Sequence, residues 1–105
     1  MFIVIYEFIV KDDMEEEFAA AWLEVTRGIY KYYGSHGSRL QKDKSGKYIG
    51  YAQWPDRETW AHDWSADTRL EPARTTMRSC LHAVNTVYET NVVSDYLQPG
   101  HTKED

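Results

Sequence analysis

One stretch near the start constrains this chain more than any other: Phe2-Ile3-Val4-Ile5-Tyr6-Glu7-Phe8-Ile9-Val10. Its β-branched and aromatic side chains are the set that fits a pleated, packed backbone. Divided by the two-residue period of a strand, one face reads Phe2, Val4, Tyr6, Phe8 and Val10, and the other Ile3, Ile5, Glu7 and Ile9. A sheet with one wet side alternates apolar with polar residues. Here Glu7 is the single charge, so the strand calls for cover above and below.

The remaining sequence supplies one of those covers. After Lys11, the residues Asp12-Asp13-Met14-Glu15-Glu16-Glu17 predict a helix start, with Asp12 or Asp13 as N-cap and Glu15 or Glu16 closing a capping box. Met14, Phe18, Ala21, Trp22, Val25, Ile29 and Tyr32 recur at three- and four-residue steps, and Gly34 is placed to stop the helix after Tyr33. Ser38–Asp43 and Lys47–Trp54 are extended runs joined by a polar turn, in which Gly46 suits the position of positive φ. Pro55 ends the second run, and Asp56 can cap a short helix carrying Trp60 and Trp64 one turn apart. A further helix is expected from about Glu71, with Pro72 in its first turn and Leu70, Ala73, Met77, Cys80, Leu81 and Val84 as its stripe. The last strand is expected from Val84 to about Val93, with Val84, Tyr88 and Val92 on one face. Residues 98–105 form a polar tail, and residues 1–97 a single domain.

The order β-α-β-β-α-β predicts an α+β, ferredoxin-like fold: a four-stranded antiparallel sheet with its helices on one face. No segment is left to cover the other face, which carries Ile3, Ile5 and Ile9. An exposed apolar face implies a partner surface, and a second copy of the same chain is expected, giving a homodimer. Glu7 on that face is expected to pair with Arg39 or Lys47 across the interface.

Composition narrows the function classes. The 105 residues carry a formal charge of −5 with no basic run, which argues against nucleic acid or an anionic membrane as partner. Cys80 is the sole cysteine, so no internal disulfide can form and a reducing, cytoplasmic setting is expected. The apolar start is too short to cross a bilayer and lacks a basic flank, so it reads as neither signal nor anchor. The chain has no G-x-G-x-x-G, no P-loop, no H-E-x-x-H and no paired-cysteine zinc motif. No two of its histidines stand at ligand spacing, so no metal site is expected.

The strand ending Phe8-Ile9-Val10-Lys11, then Glu15-Glu16-Glu17-Phe18 with Trp22, the Tyr33-Gly34-Ser35 turn into Ser38-Arg39-Leu40, and Tyr51-Ala52-Gln53-Trp54-Pro55 leading into Trp60 together resemble the antibiotic biosynthesis monooxygenase superfamily, the dimeric α/β-barrel fold. The resemblance spans residues 1 to about 97 and implies an oxygenase or one of its relatives without a known reaction. Its haem-degrading branch uses an Asn on the first strand and an iron-ligating His in the second helical region. The matching positions here are Tyr6 and the neighbourhood of Ala73, with no histidine, so haem degradation is not expected. The cofactor-free branch implies a dry aromatic pocket in which a small phenol or quinol supplies its own electrons to O2, and the cofactor expectation is none.

Candidate residues carry two readings each. Tyr6 shares its strand face with Val4 and Phe8, and is either a core tyrosine or a catalytic group in that pocket. Trp60, Trp64 and Tyr88 are either core aromatics or substrate-binding walls. His62 is a surface histidine or, as the histidine of the resemblance's pocket-forming helix, a base near neutral pH. Arg69 or Arg74 could hold a phenolate, with a solvated surface charge as the alternative. Asn85, placed opposite Tyr88, is expected at the dimer face. Two function classes follow: a cofactor-free oxygenase, or a non-catalytic barrel that binds a small hydrophobic ligand. In a third case the protein's own tryptophans fill the barrel.

Overall fold

The computed structural model describes residues 1–99. In chain order the elements are β1 (Phe2–Val10), α1 (Glu15–Tyr33), β2 (Gly37–Lys42), β3 (Tyr48–Trp54), α2 (Arg57–Ala61), α3 (Ala73–Ser79) and β4 (Leu81–Asn91). The strands form one antiparallel sheet in the order β2-β3-β1-β4, the ferredoxin-like βαββαβ arrangement. β1 takes an inner place, as its two apolar faces demand. Of the tail expected from residue 98, residues 100–105, His101 among them, lie outside the described residues.

Register fixes the faces. Phe2, Val4, Tyr6 and Phe8 stand opposite Trp54, Ala52, Gly50 and Tyr48 on β3, and these pairs share the side covered by the helices. α1 lays Phe18, Ala21 and Val25 onto them. Phe18 has no exposed surface, with ring centroids 5.2 Å from Phe8 and 5.5 Å from Tyr48. Burial of one such side chain stabilises the fold by about 1.5–3 kcal/mol. Gly34 ends α1 at φ +85°, as expected. The hairpin turn is closed by Asp43, whose Oδ1 accepts from the Ser45 and Lys47 backbone, with Gly46 at φ +96°.

Several local expectations are corrected. Neither Asp12 nor Asp13 caps α1: Met14 holds the N-cap position without a side-chain bond, and Asp13 sits in the turn at φ +62°. The link from β1 is so short that Asp13 is spent on turning the chain, a conformation Asp tolerates. Asp56 does cap α2, accepting from Thr59 N and Oγ1 at 2.7 Å each, but that helix stops at Ala61 and Trp64 lies beyond it. α3 starts at Ala73 rather than Glu71, and Leu81, His82 and Val84 belong to β4. The apolar spacing from Leu70 to Val84 spans a helix-to-strand junction, where both periods pass through the same residues.

The largest correction concerns β4. Ile5 pairs with Tyr88, but Tyr6 pairs with Thr86, leaving Val87 as an extra residue in the ladder. Such a bulge reverses the alternation beyond it. Val84 and Thr86 face the helices, whereas Asn85 and Tyr88 share the open face with Ile3, Ile5 and Glu7. On that face Ile3 is already buried within the protomer, where the chain after β4 turns back beside Met1 and Tyr51. Ile5 and Ile9 stay partly exposed. Glu7 pairs with Lys47 of its own chain at 3.2 Å, with Asn85 Nδ2 at 3.4 Å from the other oxygen. Among the described residues no helix is long and apolar enough to cross a membrane.

Candidate functional site

Three small side chains create the site. On the inner face Ser38 stands opposite Ala52, and Ala52 is two residues from Gly50 on the same strand. Gly50 lies between Leu40 on β2 and Tyr6 on β1. A Cβ at position 50 would come within 2.8 Å of Phe8 Cε2 and 3.5 Å of Tyr6 Cδ2, so glycine lets these two rings lie against the strand. Glycine within a strand weakens it and marks a close approach of other groups. Beside these rings lies a cavity of about 220 Å³ between α1 and the sheet. Trp22, Val25 and Ile29 of α1 form its roof, and Met77, Phe8 and Trp54 close the walls. The tryptophans line this space without filling it, which removes the filled-barrel reading.

Its polar groups are few. Tyr6, Thr26, Ser38 and Tyr51 are the hydroxyl-bearing residues of the lining, and no carboxylate or imidazole is among the lining residues. Tyr6 Oη accepts a hydrogen bond from Trp60 Nε1 at 2.7 Å. Trp60 is in turn held against Phe2, with ring centroids 5.6 Å apart, and beneath the Arg57 guanidinium at 5.7 Å. Burial pushes the Tyr6 hydroxyl above its ordinary ionisation range; the Trp60 N–H opposes this, and the negative charge of Glu89 adds to it. Tyr6 is therefore neutral at physiological pH, a proton donor rather than a base. Trp54 also lines the cavity, but its indole N–H is buried beneath the wall surface without a partner among the described residues.

The structure gathers few of the candidates expected from sequence. Tyr6 lines the cavity. Trp60 stands one layer behind, reaching the site through Tyr6. Trp64 stacks flat on Tyr33, centroids 4.0 Å apart, away from the cavity. His62 is exposed and tilts against Trp64 at 4.4 Å, so it cannot act as a base in this space. Arg69 is paired with Asp67 at 2.6 Å and lies over Tyr32 at 4.1 Å; this pairing holds the Asp67 carboxyl down at about 2. Arg74 rests on Tyr33. Tyr88 is carried to the open face by the bulge and is 62% exposed there. The groups missed were Trp22, Thr26, Ser38, Gly50, Trp54 and Met77. Their one sequence signal was the coincidence of Gly50, Ala52 and Ser38 on inward positions of adjacent strands. Among the described residues no three His, Cys, Asp or Glu side chains gather where a metal could be held.

No protein-family profile and no curated protein matches the chain. Solved structures do. One from Bordetella bronchiseptica, carrying the name of antibiotic biosynthesis monooxygenase, superposes with a TM-score of 0.75 at 16% identity, over 89% of this chain and 97% of that one. One from Caulobacter crescentus with the same name gives 0.72 at 16% identity, over 89% and 90%. This chain has the antibiotic biosynthesis monooxygenase fold. SnoaB of Streptomyces nogalater, described as a cofactor-independent oxygenase, shares it with a TM-score of 0.71 at 14% identity, over 92% of this chain and 97% of that one. Within the monooxygenase fold, the hollow described above lies between sheet and first helix.

Proposed function

We propose that this protein is a cofactor-independent monooxygenase that oxidises a small aromatic phenol or quinol with O2. The observation that carries the proposal is a largely apolar, aromatic-walled cavity with the neutral Tyr6 in its lining. Apolar walls exclude water and admit both an aromatic ring and O2. Hydrogen-bond donors favour the ionised form of a bound phenol, so they lower its pKa without an internal base. The substrate's proton then passes to solvent and its anion reduces O2. One oxygen atom enters the substrate, the other leaves as water, and all the electrons come from the substrate. The description of SnoaB supports this class.

The open sheet face supports a homodimer, with Ile5, Ile9 and Tyr88 covered by a second copy beside the already buried Ile3. Sedimentation equilibrium is expected to give twice the chain mass of 12.3 kDa, and a monomer at micromolar concentration would contradict the dimer.

A second reading, a non-catalytic binding protein, is favoured by the same cavity's lack of a carboxylate or imidazole. Oxygen consumption by the purified protein with a panel of phenols and quinols separates the two. Uptake above the protein-free rate with one-to-one product formation supports the oxygenase. Saturable binding of the panel without uptake supports the binder.

A further inference from the structure

The Tyr6 hydroxyl has one of its functions already occupied. Its oxygen accepts from Trp60 Nε1 at 2.7 Å, while its own hydrogen meets no acceptor among the described residues. Tyr6 is half-buried, and a hydrogen left without a protein acceptor is available to a guest. No neighbouring side chain on the inner face accepts it. Gly50, directly opposite on β3, has no side chain, and Glu89, whose charge acts on Tyr6, bonds Arg57 Nε at 2.9 Å rather than Tyr6. Trp60 does not touch the cavity, yet it sets which way the hydroxyl can point. Donation from Trp60 also polarises the O–H and strengthens its onward bond.

Volume sets the second limit. Filled at the density of a protein interior, about 0.74, the cavity of about 220 Å³ suits a guest of one or two fused rings. The Tyr6, Phe8, Trp22 and Trp54 rings in the lining favour a flat guest over a globular one.

We infer that the cavity selects a flat guest of one or two rings bearing a hydrogen-bond-accepting oxygen, which Tyr6 holds by donation, and that Trp60 is the positioning residue that aims Tyr6. This sharpens the substrate side of the oxygenase reading and rests on the same cavity, but it is tested by binding alone, so failure of turnover leaves it standing. It also holds for a pure binder.

The probes are 1-tetralone and tetralin, which share a two-ring frame and differ in one carbonyl oxygen, titrated calorimetrically into the whole protein. Wild type is expected to bind the ketone about tenfold more tightly than the hydrocarbon. In Tyr6→Phe that preference should fall to near unity while tetralin binds as before. In Trp60→Phe it should fall to an intermediate value. Ultraviolet titration of Trp60→Phe supplies a readout that a purely structural role would not move: Tyr6 should ionise at still higher pH, because the lost N–H stabilised its phenolate. A ketone preference that survives in Tyr6→Phe overturns the inference, as does equal binding of both probes, or of neither, by wild type. Unchanged Tyr6 ionisation and ketone preference in Trp60→Phe would remove the positioning role.

Discussion

The inner face of the sheet is solid at one end and hollow in its middle, under the same helix. At the solid end Phe8, Phe18 and Cys80 interlock, Phe18 and Cys80 with no exposed surface, backed by Tyr48 and Leu81. In the middle, Ser38, Gly50 and Ala52 face the same helix and leave the cavity. The two regions share one sheet face and differ in the size of the side chains they place there. A hollow built this way is written into the sequence, at the cost of a glycine in a strand interior.

The contrast breaks hardest at the solid end. Phe18→Ala should destabilise by about 3–5 kcal/mol, read as a lower denaturant midpoint at unchanged m-value, because its wholly buried ring packs on both Phe8 and Tyr48. A loss under about 1 kcal/mol would mean that this end is as loosely filled as the middle. The opposite change sharpens the contrast. Ala52→Val adds methyl groups where overpacking usually costs about 1–3 kcal/mol. With the cavity beside it, and a β-branched residue in a strand, the change should stay within about 1 kcal/mol of wild type in the same denaturation experiment.

The smallest effect is electrostatic. Because the Tyr6 hydroxyl is raised in the fold, the native state holds its proton longer than the unfolded chain does. Its contribution is complete below the unfolded value of about 10 and is lost as pH rises through the folded value. Stability should therefore decline more steeply above about pH 10 in wild type than in Tyr6→Phe, and equal slopes would contradict the burial of this hydroxyl.

Much of the fold could be read from residue pattern. The two apolar faces of Phe2–Val10 placed it inside the sheet, the 18-21-22-25-29 spacing gave α1, and Gly34 and Gly46 marked their turns. Strand four was legible as a strand but its facing was not, because the extra residue Val87 appears only when its register against β1 is known. That one residue moved Tyr88 out of the candidate site. The site was less legible than the fold for a related reason. Aromatic and ionisable residues such as Trp64, His62 and Arg69 attract notice in a sequence, yet here they stack and pair with one another along the segment between α2 and α3. The cavity was instead announced by what is missing, the small side chains at 38, 50 and 52, whose adjacency depends on pairing across three strands.

The most direct test asks whether the hollow is where a guest sits. Calorimetric titration of 1-tetralone into wild type and into Ala52→Leu, both shown folded by circular dichroism, should give saturable binding in the first and at least a tenfold loss in the second. Equal affinity in the two proteins, or no binding by wild type, would contradict the account.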